Sequence, residues 1–121
     1  MKDKKFDLEE RLIDFAVAII NFVECLPTSR SAIHLGGQLL RSGTSSSLNY
    51  GEAKGAESKG DFIHKMKVCL KELRESHNCL RILHKARIYK TEQEVLDLIC
   101  ECNELVAIFV KSIATANKKK F

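Results

Sequence analysis

Apolar positions recur at spacings of three and four along almost the whole chain, the period of helices with one buried face. Leu8, Leu12, Phe15, Ala16, Ile19, Phe22, Val23 and Leu26 predict a first helix from about Asp7 to Leu26, stopped by Pro27. Phe62, Met66, Cys69, Leu70, Leu73, His77, Leu80 and Leu83 predict a third helix from a Ser58 cap to about Ala86. Val95, Leu98, Ile99, Cys102, Leu105, Val106, Phe109 and Ile113 predict a fourth, opened by Thr91 and Glu94 and running to about Ala116.

The second helix, Ser31 to about Lys54 with Thr28 or Ser29 as cap, is unusual. Its middle is Ser42-Gly43-Thr44-Ser45-Ser46-Ser47, a composition that by intrinsic propensity belongs in a loop. No proline interrupts it, and its flanks keep helical spacing. Leu35, Leu39, Ser46, Tyr50 and Ala53 share one stripe, while Gln38, Ser42, Ser45, Asn49 and Glu52 share another. Small residues let a neighbouring backbone come close, and polar side chains need partners if they are buried. A helix packed on more than one side is expected, against the alternative of a solvated serine-rich linker.

Short connections, with one proline and six glycines in 121 residues, disfavour a turn-rich β protein. The expected fold is all-α, an antiparallel up-down-up-down four-helix bundle forming one domain over residues 1–121, with a mobile basic tail at 117–121. The uncharged run from Phe15 to Val23 is too short to span a bilayer, so neither a membrane span nor a signal peptide is expected, and the location expected is cytoplasmic. Cys25, Cys69, Cys79, Cys100 and Cys102 make an odd number inside helical patterns. They read as reduced small hydrophobes. With His34, His64, His77 and His84 they give no ligand spacing for a metal, and neither a metal nor any other cofactor is expected.

Charge is unevenly spread. Nine basic residues between Lys59 and Lys90 face only Asp61, Glu72 and Glu75, whereas the next helix opens with Glu92, Glu94, Asp97, Glu101 and Glu104. Lys59, Lys65, Lys67, Lys71, Arg74, Arg81, Lys85 and Arg87, with the tail Lys118, Lys119 and Lys120, are candidates for contact with RNA or DNA phosphates. The alternative is an ordinary solvated face in which the basic and acidic helices pair. No glycine-rich phosphate loop or nucleophile elbow is present. Asn49 with Glu52 and Glu72 with Glu75 lie one turn apart. They are expected to join Gln38, Arg41, Ser42, Ser45 and Arg74 in a polar network within or between subunits. His77 is expected as a hydrogen-bonded core histidine. Some small helical bundles are ribonucleases with an arginine and a histidine close in sequence. Arg74 and His77, Arg81 and His84, and Arg30 and His34 fit that count poorly, so a non-enzyme is expected.

The ordered set Gln38-Leu39-Leu40-Arg41-Ser42, Ser45, Asn49-Tyr50-Gly51-Glu52-Ala53, Ser58-Lys59-Gly60-Asp61-Phe62, Lys65 and Glu72-Leu73-Arg74-Glu75-Ser76, with Arg11, Phe15 and Leu26-Pro27-Thr28-Ser29 upstream, resembles a known family. It is the four-helix-bundle proteins encoded within intervening sequences of bacterial 23S rRNA genes, related to the accessory variability proteins of diversity-generating retroelements. The likeness covers about residues 8–85. It implies a ring-shaped homopentamer and, in the retroelement branch, a basic surface that binds nucleic acid and a reverse-transcriptase partner. The chain departs from the pattern at Asn78 and Cys79, where relatives often carry aromatics. Two functions follow as expectations: a homo-oligomeric binder of RNA or DNA, or a structural adaptor that docks another protein.

Overall fold

The computed structural model describes residues 7–118. Four helices follow in order: α1 (Leu8–Glu24), α2 (Arg30–Lys54), α3 (Lys59–Lys85) and α4 (Glu92–Lys118). They form an all-α, up-down-up-down four-helix bundle in which α1 and α3 are diagonal and every other sequential pair, closed by α1 with α4, is in contact. Side chains set the helix starts. Asp7, Ser29 and Ser58 accept from the backbone N–H of Glu10, Ala32 and Asp61, satisfying donors that the first turn leaves open. α4 extends two residues past its expected end, to Lys118; Lys119 and Lys120 lie outside the described residues.

Leu12, Phe15, Ile19 and Phe22 of α1 meet Leu39 of α2, Met66, Leu73, Leu80 and Leu83 of α3, and Val95, Leu105 and Phe109 of α4 in one core. Tyr50 and Phe109 cross it edge to face, ring centres 5.9 Å apart, tying α2 to α4 across the diagonal. The expected stripes are largely the buried ones, with a shift on α3. Ser76 and Cys79 are buried there, whereas His77 is only half-buried and has no hydrogen-bond partner among the described residues. The expectation of a hydrogen-bonded core histidine is therefore corrected: the α3 face turned to α2 takes the small side chains, and position 77 falls at the margin facing α4.

The glycines of α2 explain why α1 lies closer to α2 than to α4. A Cβ at Gly43 would come within 3.1 Å of both Ile19 Cγ1 and Cγ2, and one at Gly36 within 3.3 Å of Leu26 Cδ1. On the other side of α1, Arg11 ties the helix to α4, donating to Glu101 at 2.7 and 2.8 Å and to Glu104 at 2.7 Å. No described helix is long and apolar enough to cross a membrane.

Candidate nucleic-acid interface

α3 is the helix on which the chain's charges are sorted. Glu72 and Glu75 turn toward α2, where Arg41 donates to Glu72 at 3.1 Å and to Glu75. These carboxylates, Glu75 foremost, hold the Arg41 guanidinium above its ordinary pKa. Between them Ser76 is fully buried. Its hydroxyl donates to the Glu72 carbonyl at 3.0 Å and so is free to accept from Ser42, 2.7 Å away on α2. Within the serine-rich run the hydroxyls are satisfied inside the helix by bonding back one turn: Thr44 to the Leu40 carbonyl at 2.7 Å and Ser46 to the Gly43 carbonyl at 2.9 Å. Ser42 is buried and Ser45 and Asn49 half-buried on this seam, while Gln38 and Glu52 are exposed. Among the described residues no buried side-chain nitrogen or oxygen lacks a partner, so the buried hydroxyls are satisfied within one chain.

The opposite face of α3 has no such matching. Lys67, Lys71, Arg74, Arg81 and Lys85 are all exposed, and with Asn78 they step four, three, four, three, four along one stripe. The stripe spans about 27 Å at ~1.5 Å per residue. None of its five cations pairs with a described acid. Arg74 belongs to this outer face and takes no part in the Arg41 cluster within the chain. Lys65 points elsewhere and lies 3.8 Å from Glu52 and 3.6 Å from Asp61. Lys59 sits near the start of α3 off the stripe, Arg87 lies in the α3–α4 turn with a φ of 59°, and Lys118 is exposed at the end of α4.

Among the described residues no cation of the α3 stripe pairs with an acid of α4. The α4 acids Glu101 and Glu104 are taken by Arg11 of α1, and the described link from α3 is His84 to Glu92, at 2.9 Å. Glu101 and Glu104 thus face α1, on the side of α4 away from the α3 stripe. Of the arginine–histidine pairs, Arg30 and His34 are both exposed, and His84 is held by Glu92 beside Tyr89. Arg74 and His77 share a cleft with Asn78, Asn103 and Val106. Asn103 escapes a sequence reading because it is a lone polar residue on the outer side of α4; only the bundle geometry brings it to α3.

Residues 4–111 match the family model described as 23S rRNA-intervening sequence protein. The chain belongs to that family. This intervening-sequence protein is also similar to a crystal structure of a protein with unknown function from the S23 ribosomal protein family of Bacteroides thetaiotaomicron VPI-5482. The two share 30% identity at a TM-score of 0.81, over 88% of this chain and 98% of that one. No curated protein matches. Since the solved neighbour is itself of unknown function, family membership fixes the bundle and leaves its use to the chemistry of the surface.

Three of the five thiols are buried and contribute nothing to that surface, while Cys25 and Cys100 are exposed. Burial pushes the Cys69 and Cys102 thiols up to about 12 and also raises Cys79, so all three stay protonated at neutral pH. Cys102 instead donates to the Leu73 carbonyl at 3.2 Å, a tie between α3 and α4. All five cysteines are free. No cluster of three or more potential metal ligands forms among the described residues. A second feature is an apolar outer face on the α1–α2 side. Ile13, Val17 and Ile20 are 40–49% exposed, and Ile33 and Leu48 are 64% and 69% exposed. Its sequence signal is the 13-17-20 spacing, which widens the apolar face of α1 beyond what one core needs.

Proposed function

We propose that this intervening-sequence protein is a non-enzymatic, homo-oligomeric nucleic-acid-binding module that lays phosphates along the outer stripe of α3. The observation that carries the reading is the run Lys67, Lys71, Arg74, Arg81 and Lys85, exposed and unpaired while the acids of the same helix are matched by Arg41. Five cations on one line are a costly arrangement for solubility alone and suit a polyanion. Lys118 would add charge at the end of α4, and Lys119 and Lys120, which lie outside the described residues, follow it in the sequence. Affinity along the stripe is mostly electrostatic and falls steeply with salt.

Self-association is supported by the apolar face of Ile13, Val17, Ile20, Ile33 and Leu48, which belongs to α1 and α2. Because α1 lies diagonal to α3, assembly through that face leaves the basic stripe open. Five copies is the number that the family resemblance suggests, and a role beside an RNA or reverse-transcription process would suit such a ring. The polar residues Gln38, Ser45, Asn49 and Glu52 border the α2–α3 seam and would set the register of a neighbouring copy. The same apolar face favours a second reading, an adaptor that docks another protein without binding nucleic acid.

Particle mass by light scattering at low salt, with and without a generic structured RNA, separates the two. An oligomer that grows when RNA is added is the expected result. An oligomer that ignores RNA supports the adaptor, and a monomer contradicts self-assembly.

A further inference from the structure

We propose that the cleft between α3 and α4 lined by Arg74, His77, Asn78, Asn103 and Val106 holds an unpaired nucleobase of a single strand whose phosphates lie on the adjacent stripe. This rests on the nucleic-acid reading above and deepens it: the ligand is single-stranded, and the chain reads its bases as well as its charge.

Position comes first. Arg74 belongs both to the cleft and to the stripe, and also lines the neighbouring hollow with Lys67, Leu70 and Lys71. Asn78 opens the next hollow, with Arg81, Ile82 and Lys85. A strand running along the five cations therefore passes the mouth of the cleft.

The lining differs in kind from the stripe. Asn78 and Asn103 each offer a donor amide and an acceptor oxygen, and neither has a partner among the described residues. His77 is kept neutral by partial burial and, secondly, by the charge of Arg81, which both lower its pKa; one ring nitrogen then donates and the other accepts. The charged groups beside His77 are Arg74, which lines the cleft, and Arg81 on the next turn of α3; Glu104, the α4 neighbour of Asn103, is engaged by Arg11 on the α1 side. No acid lines the cleft. A phosphate, which only accepts, would leave both amide oxygens unmatched and would favour a charged imidazole. A base edge carries donors and acceptors side by side and matches two carboxamides and a neutral imidazole. The ring of His77 and the plane of Arg74 supply stacking surface, and Val106 an apolar wall.

Size and access narrow the ligand further. The cleft holds about 240 Å³, below the ~300–1,000 Å³ typical of sites for whole small-molecule cofactors. That suits one ring system. Bases inside a duplex are stacked and paired, and drawing one out carries an unstacking cost that a single strand does not meet.

The test uses the full chain and fluorescence anisotropy at low salt, with labelled strands of about 12 nucleotides. The probes are homopolymers of each base and an abasic strand of equal charge. At least one homopolymer is expected to bind about ten-fold more tightly than the abasic strand. Asn103→Ala, on the surface of α4, and Asn78→Ala are each expected to shrink that gap while leaving abasic binding unchanged. Equal binding of all strands, or a gap that survives the double variant Asn78→Ala/Asn103→Ala, overturns the base site and leaves the phosphate stripe standing. No binding by any strand overturns the nucleic-acid reading itself. Asn103→Ala lowering abasic and base-bearing affinity alike also overturns the base site, since it would mark a contact to the backbone only.

Discussion

The two long faces of α3 both carry charged residues and treat them in opposite ways. On the face toward α2, Glu72 and Glu75 are answered by Arg41, and the hydroxyl of Ser76 is answered by Ser42. On the outer face, Lys67, Lys71, Arg74, Arg81 and Lys85 are answered by nothing in the described chain. A bundle that needed only solubility would interleave acids among those bases, as the α3–α2 side does. The comparison teaches that polar matching inside this protein is a property of seams, and that the unmatched stripe is the surface available for outside charge.

The sharpest way to break the comparison is to damage the matched side. Ser76→Leu forces a larger side chain into a fully buried seam and leaves the Ser42 hydroxyl only its long 3.4 Å contact to the Leu39 carbonyl. We expect a loss of about 3 kcal/mol in stability, read as a lower urea midpoint. Ser42→Ala removes one hydroxyl without adding bulk and is expected to cost about 1 kcal/mol. The double variant Ser42→Ala/Ser76→Ala is expected to cost less than the two single changes summed, because each single change already removes the one contact the two hydroxyls share. Strict additivity would mean that the 2.7 Å contact carries no coupling.

The same size of change on the outer side is expected to leave folding alone. Lys71→Ala should move stability by no more than about 0.5 kcal/mol, yet weaken nucleic-acid binding at low salt. A large stability loss there would mean that the stripe serves the fold. The smallest expected effect concerns His77. Its folded pKa lies below the ordinary 6.5, so the unfolded chain takes up the proton first. Stability tied to His77 is therefore present above pH 6.5 and is lost as pH falls through that value. His77→Gln should flatten this shallow slope in thermal melts taken between about pH 5 and 8.

The helices and most of the core were legible in the sequence, because apolar spacing and the caps Ser29 and Ser58 are local signals. The exchange of His77 for Ser76 in the buried face was not. A serine reads as polar, and it becomes a core residue only because Ser42 on another helix meets it. Charge counting found the basic helix but could not separate Lys65, which has acids nearby, from Lys67 and Lys71, which do not. That sorting depends on which way each position faces. Asn103 and the Arg11–Glu101 pair, 90 residues apart in the chain, lie beyond any local pattern for the same reason.

The most direct test of the outer stripe is the salt dependence of single-strand binding by the unaltered chain and by Lys67→Ala/Lys71→Ala/Lys85→Ala. With five cations engaged on each subunit, log affinity is expected to fall against log salt with a slope of about −3.5, at ~0.7 per phosphate. The triple variant should flatten the slope to about −1.4 while its unfolding curve stays in place. An unchanged slope in the triple variant would contradict the assignment of phosphate binding to the outer face of α3.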